Sequence, residues 1–377
     1  VHFPIALVIA TLGCDLFYWW TADPFWLRAG LWAAGFAFAS GVGAGLFGTA
    51  ELVLVAGIRK RVASWTHAVA AMMLISVAGL NWGLRLADET ASTVIRRYST
   101  SFGLASRLLD ATVRQHVENI YALVRIADEI VDGGVAEAGL DAVHAARYLN
   151  EFEAETATAM SAGYSTNLVV HAFARTAREV GFGEELTEPF FHSMRMDLTD
   201  TEHDPASFER YVYGSAEVVG LMCLRAFLQG EQLDEAKNDR LVAGARALGA
   251  AFQKINFLRD LSADFETLGR SYFPGVNVDS FTEDDKVRLL DDIDDDLRVS
   301  AAVIPELPRG SRRAVALAQG LFTELAVRLR KTPASDLVRA RIRVPDPVKA
   351  RIALGALAGR TPRPRAAAPT SSIGASS

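Results

Sequence analysis

The stretch Tyr121-Ala-Leu-Val-Arg-Ile-Ala-Asp-Glu-Ile-Val-Asp132 places two aspartates, Asp128 and Asp132, one turn apart in a helical apolar pattern. A second pair, Asp260 and Asp264, has the same spacing in Asn-Phe-Leu-Arg-Asp-Leu-Ser-Ala-Asp. Residues at i and i+4 project from one face of a helix, so each pair presents both carboxylates on the same side. Two such faces opposed across a bundle would repel each other unless cations lay between them. The pattern therefore predicts a Mg²⁺ site that holds a diphosphate.

Composition and charge limit the class of protein. The chain has 377 residues, of which 50% are hydrophobic, and a formal net charge of −6. This length allows two domains, and the negative charge argues against nucleic acid as a partner. The two cysteines, Cys14 and Cys223, lie far apart and outside any C-x-x-C motif. Neither a disulfide framework nor a zinc site is therefore indicated.

Apolar residues are concentrated in the first 90 positions. Three stretches with few charges, 1–20, 25–58 and 65–84, each reach about the 20 residues that a bilayer span needs. Tryptophans fall near their ends, as interfacial aromatic residues do. We predict a membrane domain over residues 1–90 with about three transmembrane helices; a set of buried core helices is the alternative. Because the chain starts without Met and inside an apolar stretch, we expect further residues upstream.

Ionisable side chains occur within this domain or at its edge: His2, Asp15, Glu51 and His67. Such groups at membrane depth are often functional, and two histidines with carboxylates could ligate a metal or haem, or relay protons. The alternative is a position at the interface, where a charge costs little. The opening His-Phe-Pro-Ile-Ala-Leu and the later Trp-Thr-His resemble a family of small bacterial integral membrane proteins of undefined function.

Basic residues on both sides of the third stretch complicate the topology. The cluster Arg59-Lys60-Arg61 precedes it and Arg96-Arg97 follows it, and both favour the cytoplasmic side. Three spans cannot satisfy both clusters, so either the second stretch contains a re-entrant piece or the first cluster tolerates the outer face. We predict a bacterial inner-membrane protein whose following domain faces the cytoplasm.

From about residue 91 to residue 357 the pattern becomes amphipathic, with apolar residues at helical spacing. Helices are predicted over 101–131, 142–159, 207–228 and 241–264, and no alternating strand pattern recurs. We predict an all-α protein, in which N-terminal transmembrane helices precede a helical bundle over residues 91–357. The Pro-, Ala- and Ser-rich segment 358–377 is a predicted disordered tail.

Four segments of the bundle, taken in order, resemble the squalene/phytoene synthase family, whose members join prenyl diphosphates head to head. They are Tyr98-Ser-Thr-Ser-Phe102, 121–132, Tyr211-Val-Tyr-Gly-Ser-Ala-Glu-Val-Val-Gly220, and 253–274, which ends Gly-Arg-Ser-Tyr-Phe-Pro. A single D-x-x-x-D motif would be weak evidence, because charged i, i+4 pairs occur on many exposed helices. Four ordered motifs are specific. The resemblance covers about residues 99–354 and implies an α-helical isoprenoid-synthase fold.

The resemblance implies roles for individual residues. It implies metal binding by Asp128, Asp132, Asn256, Asp260 and Asp264. It implies substrate binding by Ser99, Ser101, Phe102, Tyr121, Arg125, Arg270 and Tyr272, and catalytic roles for Tyr211, near the reacting carbons, and Arg259. For each arginine, a salt bridge to a neighbouring aspartate is the alternative. Glu217 departs from the pattern, because many members have glycine there, and this leaves open how closely the backbone is approached.

The implied activity is that of a prenyltransferase in carotenoid biosynthesis. We expect two geranylgeranyl diphosphates to give phytoene through a cyclopropylcarbinyl diphosphate, because the second and third motifs are most like those of bacterial phytoene synthases. One alternative is a C30 squalene or dehydrosqualene synthase. The other is a catalytically inactive, membrane-anchored scaffold.

Cofactors and partners follow from the same resemblance. Mg²⁺ is the expected cofactor, with Mn²⁺ as its substitute, and we expect no NADPH requirement, since the chain has no Gly-rich dinucleotide motif. The expected partners are prenyl diphosphate substrates, membrane lipid and neighbouring carotenoid enzymes, with no nucleic acid.

Overall fold

A computed structural model describes the backbone of residues 2–21, 24–98, 100–263, 272–339 and 341–360. Most of their side chains are described too, with 87–98 and 100–102 among the exceptions. By its contacts the chain divides into two compact units, Val1–Thr90 and Ala91–Ser377. Within the described ranges every regular element is helical and no strand occurs, so the all-α prediction is confirmed.

Helices of the first unit lie on the three predicted apolar stretches. They are α1 (His2–Thr21), α2 (Pro24–Leu54), the short α3 (Ala56–Arg59) and α4 (Val62–Tyr98). Two segments, Arg28–Leu54 and Val62–Gly83, are long and apolar enough to cross a membrane, whereas the apolar part of α1, Phe3–Tyr18, is shorter. The helix α2 is unbroken, so this stretch contains no re-entrant loop between its first and last residues. The number of spans stays a prediction.

An ion pair joins the first and last of these helices. Arg85 on α4 donates from Nη2 to both carboxylate oxygens of Asp15 on α1, at 2.8 and 2.7 Å. Gly30 on α2 makes room for this side chain, since a Cβ there would lie 3.0 Å from Arg85 Nη1. Glu51 and His67 are exposed on their helices, and the side chain of His2 lies outside the described residues. The structure therefore gives Asp15 a charge partner within its own unit.

Fourteen α- and π-helices follow one another along the described part of the second unit. They are α5 (Thr100–Ser106), α6 (Ala111–Val131), α7 (Gly134–Glu137), α8 (Ala142–Ala162), α9 (Leu168–Val180), α10 (Glu184–Thr199), α11 (Pro205–Val212), a π-helix (Tyr213–Glu217), α12 (Val218–Phe227), α13 (Glu235–Ala263), α14 (Glu283–Val303), α15 (Arg309–Lys331), α16 (Ala334–Leu337) and α17 (Asp346–Leu357). Two 3₁₀ turns, Val278–Ser280 and Ile304–Glu306, flank α14.

Residues that favour helix ends account for several of these boundaries. Asp141, Asn167 and Asp204 precede α8, α9 and α11, and the side chain of each accepts a hydrogen bond from a backbone N–H of the first turn. Gly163 and Gly181 end α8 and α9 with φ of 83° and 78°, a conformation that costs glycine little.

The prediction of one helix over 101–131 is wrong, because the structure has two helices there, α5 and α6. The guanidinium of Arg114 donates to the carbonyl oxygens of Ser106, Arg107 and Leu109, and so stabilises the turn between α5 and α6. Such a contact satisfies carbonyl groups that a continuous helix would have paired internally.

Two large apolar cores hold the second unit together. The first lies among α6, α8, α9, α10 and α12 and includes the fully buried rings of Phe173, Phe190 and Phe191. The second lies among α11, α13, α14 and α15 and contains Ile255, Leu258 and Tyr211. The described aspartates of the two predicted pairs are carried by α6, its C-cap and α13, the helices that supply residues to these cores.

Candidate active site

The first aspartate pair lies at the end of α6. Ile120, Leu123 and Ala127 form a fully buried stripe on this helix, which fixes its orientation in the core. Asp128 follows in the last turn, and Asp132 caps the helix, with its backbone N–H donating to the carbonyl oxygen of Asp128 at 2.8 Å. The two carboxylates therefore lie on successive turns, as their spacing predicts.

Asp128 lies in a partly buried position where a negative charge is unfavourable. About a third of its side chain is exposed (32%). Burial and the charges of Asp132 and Asp197 raise the pKa of Asp128 from 3.8 to about 8, although Arg125 acts to lower it. Three carboxylates that repel each other in a partly buried site are short of positive charge. Asp128 and Asp132 supply carboxylate oxygens, which are the ligands that Mg²⁺ prefers.

Arg125 lies one turn before Asp128 and pairs with acids of its own helix. Its guanidinium forms a short hydrogen bond to Glu129, and Nη1 lies 3.8 Å from Asp128 Oδ2. Burial alone would lower the pKa of Arg125, but the hydrogen bond to Glu129 and the charges of both acids raise it above the ordinary value. Tyr121, one turn earlier, is half-buried and interacts electrostatically with Arg125.

Tyr211 and Tyr272 meet at a third carboxylate. Tyr211 Oη lies 2.9 Å from both oxygens of Asp197, and Tyr272 Oη donates to Asp197 Oδ1 at 3.2 Å. All three side chains are buried. Burial raises the pKa of Tyr211 well above its usual range, and the charge of Asp197 raises it further. The phenol of Tyr211 is therefore a protonated donor at physiological pH.

Asp197 is not among the site residues predicted from the sequence. It follows Phe190 and Met194 at i, i+4 and i+7 on the buried face of α10, where an apolar residue is expected. An aspartate on such a face requires hydrogen-bond partners inside the protein. An aspartate at an apolar position of α10 was therefore the feature of the sequence that could have indicated a buried polar site.

The second aspartate motif lies at the C-terminal end of α13. Asn256 and Asp260 are half-buried and one turn apart. Asp260 accepts hydrogen bonds from Arg259, with Nε–Oδ1 at 3.0 Å and Nη2–Oδ2 at 2.5 Å. Arg341, from the segment between α16 and α17, also binds Asp260. The salt-bridge alternative considered for the arginines is thus the arrangement observed for Arg125 and Arg259.

Several predicted site residues fall outside the description. Ser99, Asp264 and Arg270 lie outside the described residues, as do the side chains of Ser101 and Phe102. Within the described part of the chain, no three Asp, Glu, His or Cys side chains form a group that could hold a metal ion. The complete metal site therefore stays a prediction. Of its proposed ligands, Asp128 and Asp132 lie close enough for their negative charges to repel each other, which a bound cation would relieve.

The third motif contains a π-helix over Tyr213–Glu217, a distortion that is frequent at functional sites. Glu217 points its carboxylate to Arg246 on α13, with Oε2 2.6 Å from Nε. The close backbone approach is made by Gly249 instead, where a Cβ would lie 2.5 Å from the carbonyl oxygen of Ala216. Glutamate at position 217 is therefore compatible with tight packing of the π-helix on α13.

Residues 95–347 match the family described as squalene/phytoene synthase, which is more than half of the chain. The chain belongs to the squalene/phytoene synthase family. Squalene/phytoene synthases are prenyltransferases that condense two prenyl diphosphates head to head with a divalent metal, so the predicted family and enzyme class are confirmed. Residues 1–112 match a second family, described as predicted membrane protein (DUF2231), as the sequence of the first unit indicated.

Relatives of the squalene/phytoene synthase part include plant and bacterial enzymes. Phytoene synthase 3 of Zea mays is 30% identical over 198 residues, which cover 52% of this chain and 44% of that protein. The 15-cis-phytoene synthase of Enterobacter agglomerans is 29% identical over 255 residues, which cover 61% of this chain and 82% of that protein.

Solved structures of squalene/phytoene synthases share the fold. A dehydrosqualene synthase in complex with ligand aligns with a TM-score of 0.60 and 21% identity, over 73% of this chain and 97% of that one. A squalene synthase from Alicyclobacillus acidocaldarius aligns with a TM-score of 0.56 and 20% identity, over 66% and 94% of the two chains. These alignments confirm the predicted isoprenoid-synthase bundle.

Proposed function

We propose that this chain condenses two molecules of geranylgeranyl diphosphate to phytoene, as a step of carotenoid biosynthesis. The observation that carries the proposal is the similarity to the 15-cis-phytoene synthase of Enterobacter agglomerans, which extends over 82% of that enzyme. Phytoene synthases of Paracoccus and Pantoea ananas are similar over 82% and 78% of their lengths. The same reaction class is implied by the order of the four motifs.

Diphosphate binding is assigned to the arginines of the two aspartate motifs. The planar guanidinium groups of Arg125 and Arg259 keep their charge and suit phosphate oxygens, and they would exchange their present carboxylate partners for diphosphate. Tyr121 interacts electrostatically with Arg125, and Tyr272 and Arg270 complete the set by resemblance. Mg²⁺, held by Asp128, Asp132, Asn256, Asp260 and Asp264, would neutralise charge on the leaving diphosphate.

The remaining chemistry concerns carbocations. Departure of the first diphosphate leaves an allylic cation, which the double bond of the second substrate attacks. The resulting cation loses a proton as the three-membered ring closes, which gives the cyclopropylcarbinyl diphosphate. Its ionisation and rearrangement join the two C1 carbons, and loss of a proton gives the product. Tyr211 is placed near these carbons by the resemblance, and the apolar bundle keeps out water that would convert the cations to alcohols. No hydride donor is needed for this outcome.

A C30 product is the second candidate. The 4,4'-diapophytoene synthase of Staphylococcus haemolyticus is 27% identical over 212 residues, which cover 66% of that enzyme.

The first unit would anchor the enzyme in the bacterial inner membrane, with the synthase unit in the cytoplasm. Its helices expose large apolar side chains, such as Phe3, Leu46 and Phe47, which suit a lipid environment. A membrane location also suits the reaction, because the hydrocarbon product partitions into the bilayer.

The test is product analysis with the full chain purified in detergent. The protein is incubated with geranylgeranyl or farnesyl diphosphate and Mg²⁺, with and without NADPH, and products are identified by chromatography and mass spectrometry. We expect a C40 phytoene without reductant. Exclusive formation of a C30 hydrocarbon would replace the proposal with its second candidate. A folded protein that releases no diphosphate from either substrate would support the inactive scaffold instead.

A further inference from the structure

A buried carboxylate outside both aspartate motifs organises two tyrosine hydroxyls. Asp197 on α10 lies within hydrogen-bond distance of Tyr211 Oη through both of its oxygens, and of Tyr272 Oη through Oδ1. The exposed fractions are 8% for Asp197, 2% for Tyr211 and 7% for Tyr272. The three residues come from α10, from α11 and from the segment that follows α13, so this contact joins three parts of the bundle.

Aromatic packing restricts how the two phenol rings can move. The ring of Tyr272 stacks on Phe257, with centroids 4.0 Å apart and planes 10° apart. His203 stacks on Tyr272 at 6.0 Å and also contacts the ring of Tyr211 at 5.1 Å. With the rings held in place, the remaining freedom of each phenol is rotation of its hydroxyl proton. The hydrogen bond to Asp197 determines that rotation.

This cluster borders the first aspartate motif. The phenol of Tyr211 interacts electrostatically with Asp132, and the carboxylate of Asp197 interacts with Asp128. A phenol has a single proton, and when that proton is donated to a carboxylate, only oxygen lone pairs remain for other neighbours. The sides of both hydroxyls that face away from Asp197 therefore carry partial negative charge.

We propose that Asp197 is a positioning residue for the condensation: it holds the phenol protons of Tyr211 and Tyr272, so that the lone pairs of both oxygens face the reacting carbons. The cations of this reaction are stabilised by fixed negative charge density that needs no reorganisation as charge develops. This inference rests on the proposed function. It assigns Asp197 an action through the tyrosines, without contact to diphosphate or metal.

The choice of a carboxylate has a specific consequence. A carboxylate accepts hydrogen bonds at both oxygens, whereas an amide has one acceptor oxygen and a donor NH₂ group. In Asp197→Asn the amide nitrogen would face one of the phenol oxygens and take up the lone pairs that the carboxylate leaves available. The substitution conserves shape while it removes the charge and reverses one hydrogen bond.

The experiment compares Asp197→Asn, Tyr211→Phe and the double variant in the full-length protein with geranylgeranyl diphosphate and Mg²⁺. The measured quantities are kcat, KM and the ratio of cyclopropylcarbinyl diphosphate to final hydrocarbon. Asp200→Asn, three residues further along the same segment, is the matched control. For Asp197→Asn we expect kcat to fall about tenfold to a hundredfold, the loss of one hydrogen bond to a charged group. We expect KM to stay within about twofold, and the intermediate to accumulate.

The double variant separates positioning from a general structural role. If Asp197 acts through Tyr211, Asp197→Asn lowers kcat less in the Tyr211→Phe protein than in the wild type. Fully additive effects, or an unchanged kcat and product ratio in a folded Asp197→Asn protein, would overturn the inference. Should that variant fail to fold, Tyr211→Phe and Tyr272→Phe remove the donors and leave Asp197 intact; an unchanged product ratio in both would overturn it equally. If the wild-type protein forms no product, the proposed function is wrong as well. If the wild type is active and Asp197→Asn has the same kcat and product ratio, only the inference about Asp197 is wrong.

Discussion

Arg341 binds Asp260 across 81 positions of sequence, through a hydrogen bond from Nη2 to Oδ2 at 3.1 Å and an ion-pair contact between Nε and Oδ1 at 2.7 Å. Asp260 also forms an ion pair with Arg259, so its carboxylate contacts two guanidinium groups. Because a paired fork of this kind also fits diphosphate, the C-terminal segment supplies a cation at the proposed leaving-group site.

Substitution of Arg341 therefore tests whether this fork takes part in catalysis. Arg341→Lys keeps the charge but loses the planar two-nitrogen fork of the guanidinium, and we expect kcat/KM for the prenyl diphosphate to fall about tenfold or more. The side chain is 52% exposed. Its contribution to stability is therefore small, and the melting temperature stays nearly constant. Steady-state kinetics measures kcat/KM, and Arg343→Lys is the control. Equal kcat/KM values for the two variants would contradict a role of Arg341 in catalysis.

The charge environment of Asp128 predicts how metal-free stability depends on pH. Its pKa in the folded protein is about 8, above the ordinary value of 3.8, because burial and the neighbouring acids Asp132 and Asp197 disfavour ionisation. Between these values the folded state holds a proton that the unfolded state has lost. The free energy of unfolding therefore falls as the pH rises from about 4 to about 8. Chemical denaturation in EDTA across this range measures the slope.

Asp128→Asn removes this penalty and also a proposed metal ligand. In EDTA at pH 8 we expect the variant to be more stable than the wild type, while diphosphate release is lost. Added Mg²⁺ should raise the melting temperature of the wild type but not of the variant. Asp295→Asn, at an exposed ion pair on α14, is the control. A variant that Mg²⁺ stabilises as much as it does the wild type would show that Asp128 is not a ligand.

Gly249 predicts a strict size limit where α13 meets the π-helix. A Cβ at this position would lie 2.5 Å from the carbonyl oxygen of Ala216 and 3.1 Å from the Cα of Glu217, and these backbone atoms cannot move independently. We expect Gly249→Ala to lower the free energy of unfolding by about 1–3 kcal/mol or more. Gly355→Ala, in α17 with open space around it, should be neutral or stabilising by up to about 1 kcal/mol. Denaturant unfolding of the two variants gives the comparison.

The ion pair in the first unit predicts a charge-swap result. Arg85→Asp leaves like charges beside Asp15 in a largely apolar environment, and we expect a lower melting temperature in detergent. The double swap Asp15→Arg, Arg85→Asp restores opposite charges and should recover part of the loss. If the double swap recovers none of the lost melting temperature, the space that Gly30 leaves for the Arg85 side chain matters more than the sign of the charges.

Local features of the sequence were enough to predict the helices and part of the site. Apolar periodicity identified α6, α8 and α13, and the i, i+4 spacing placed Asp128 and Asp132 on successive turns. The same reasoning did not find the division between α5 and α6, because the turn depends on three carbonyl contacts of one arginine, Arg114. Helical periodicity reports which face is buried and carries no information on such capping.

By itself, the sequence determined the helical class, the apolar N-terminal segments and the four motifs that identify the family, because each depends on neighbours within a few turns. Only the tertiary structure decided which side chains meet. The contacts of Asp197 with Tyr272, of Asp15 with Arg85 and of Asp260 with Arg341 join residues 75, 70 and 81 positions apart. Such pairs form when packed helices bring distant charges and donors together in a partly buried site, where each must find a partner.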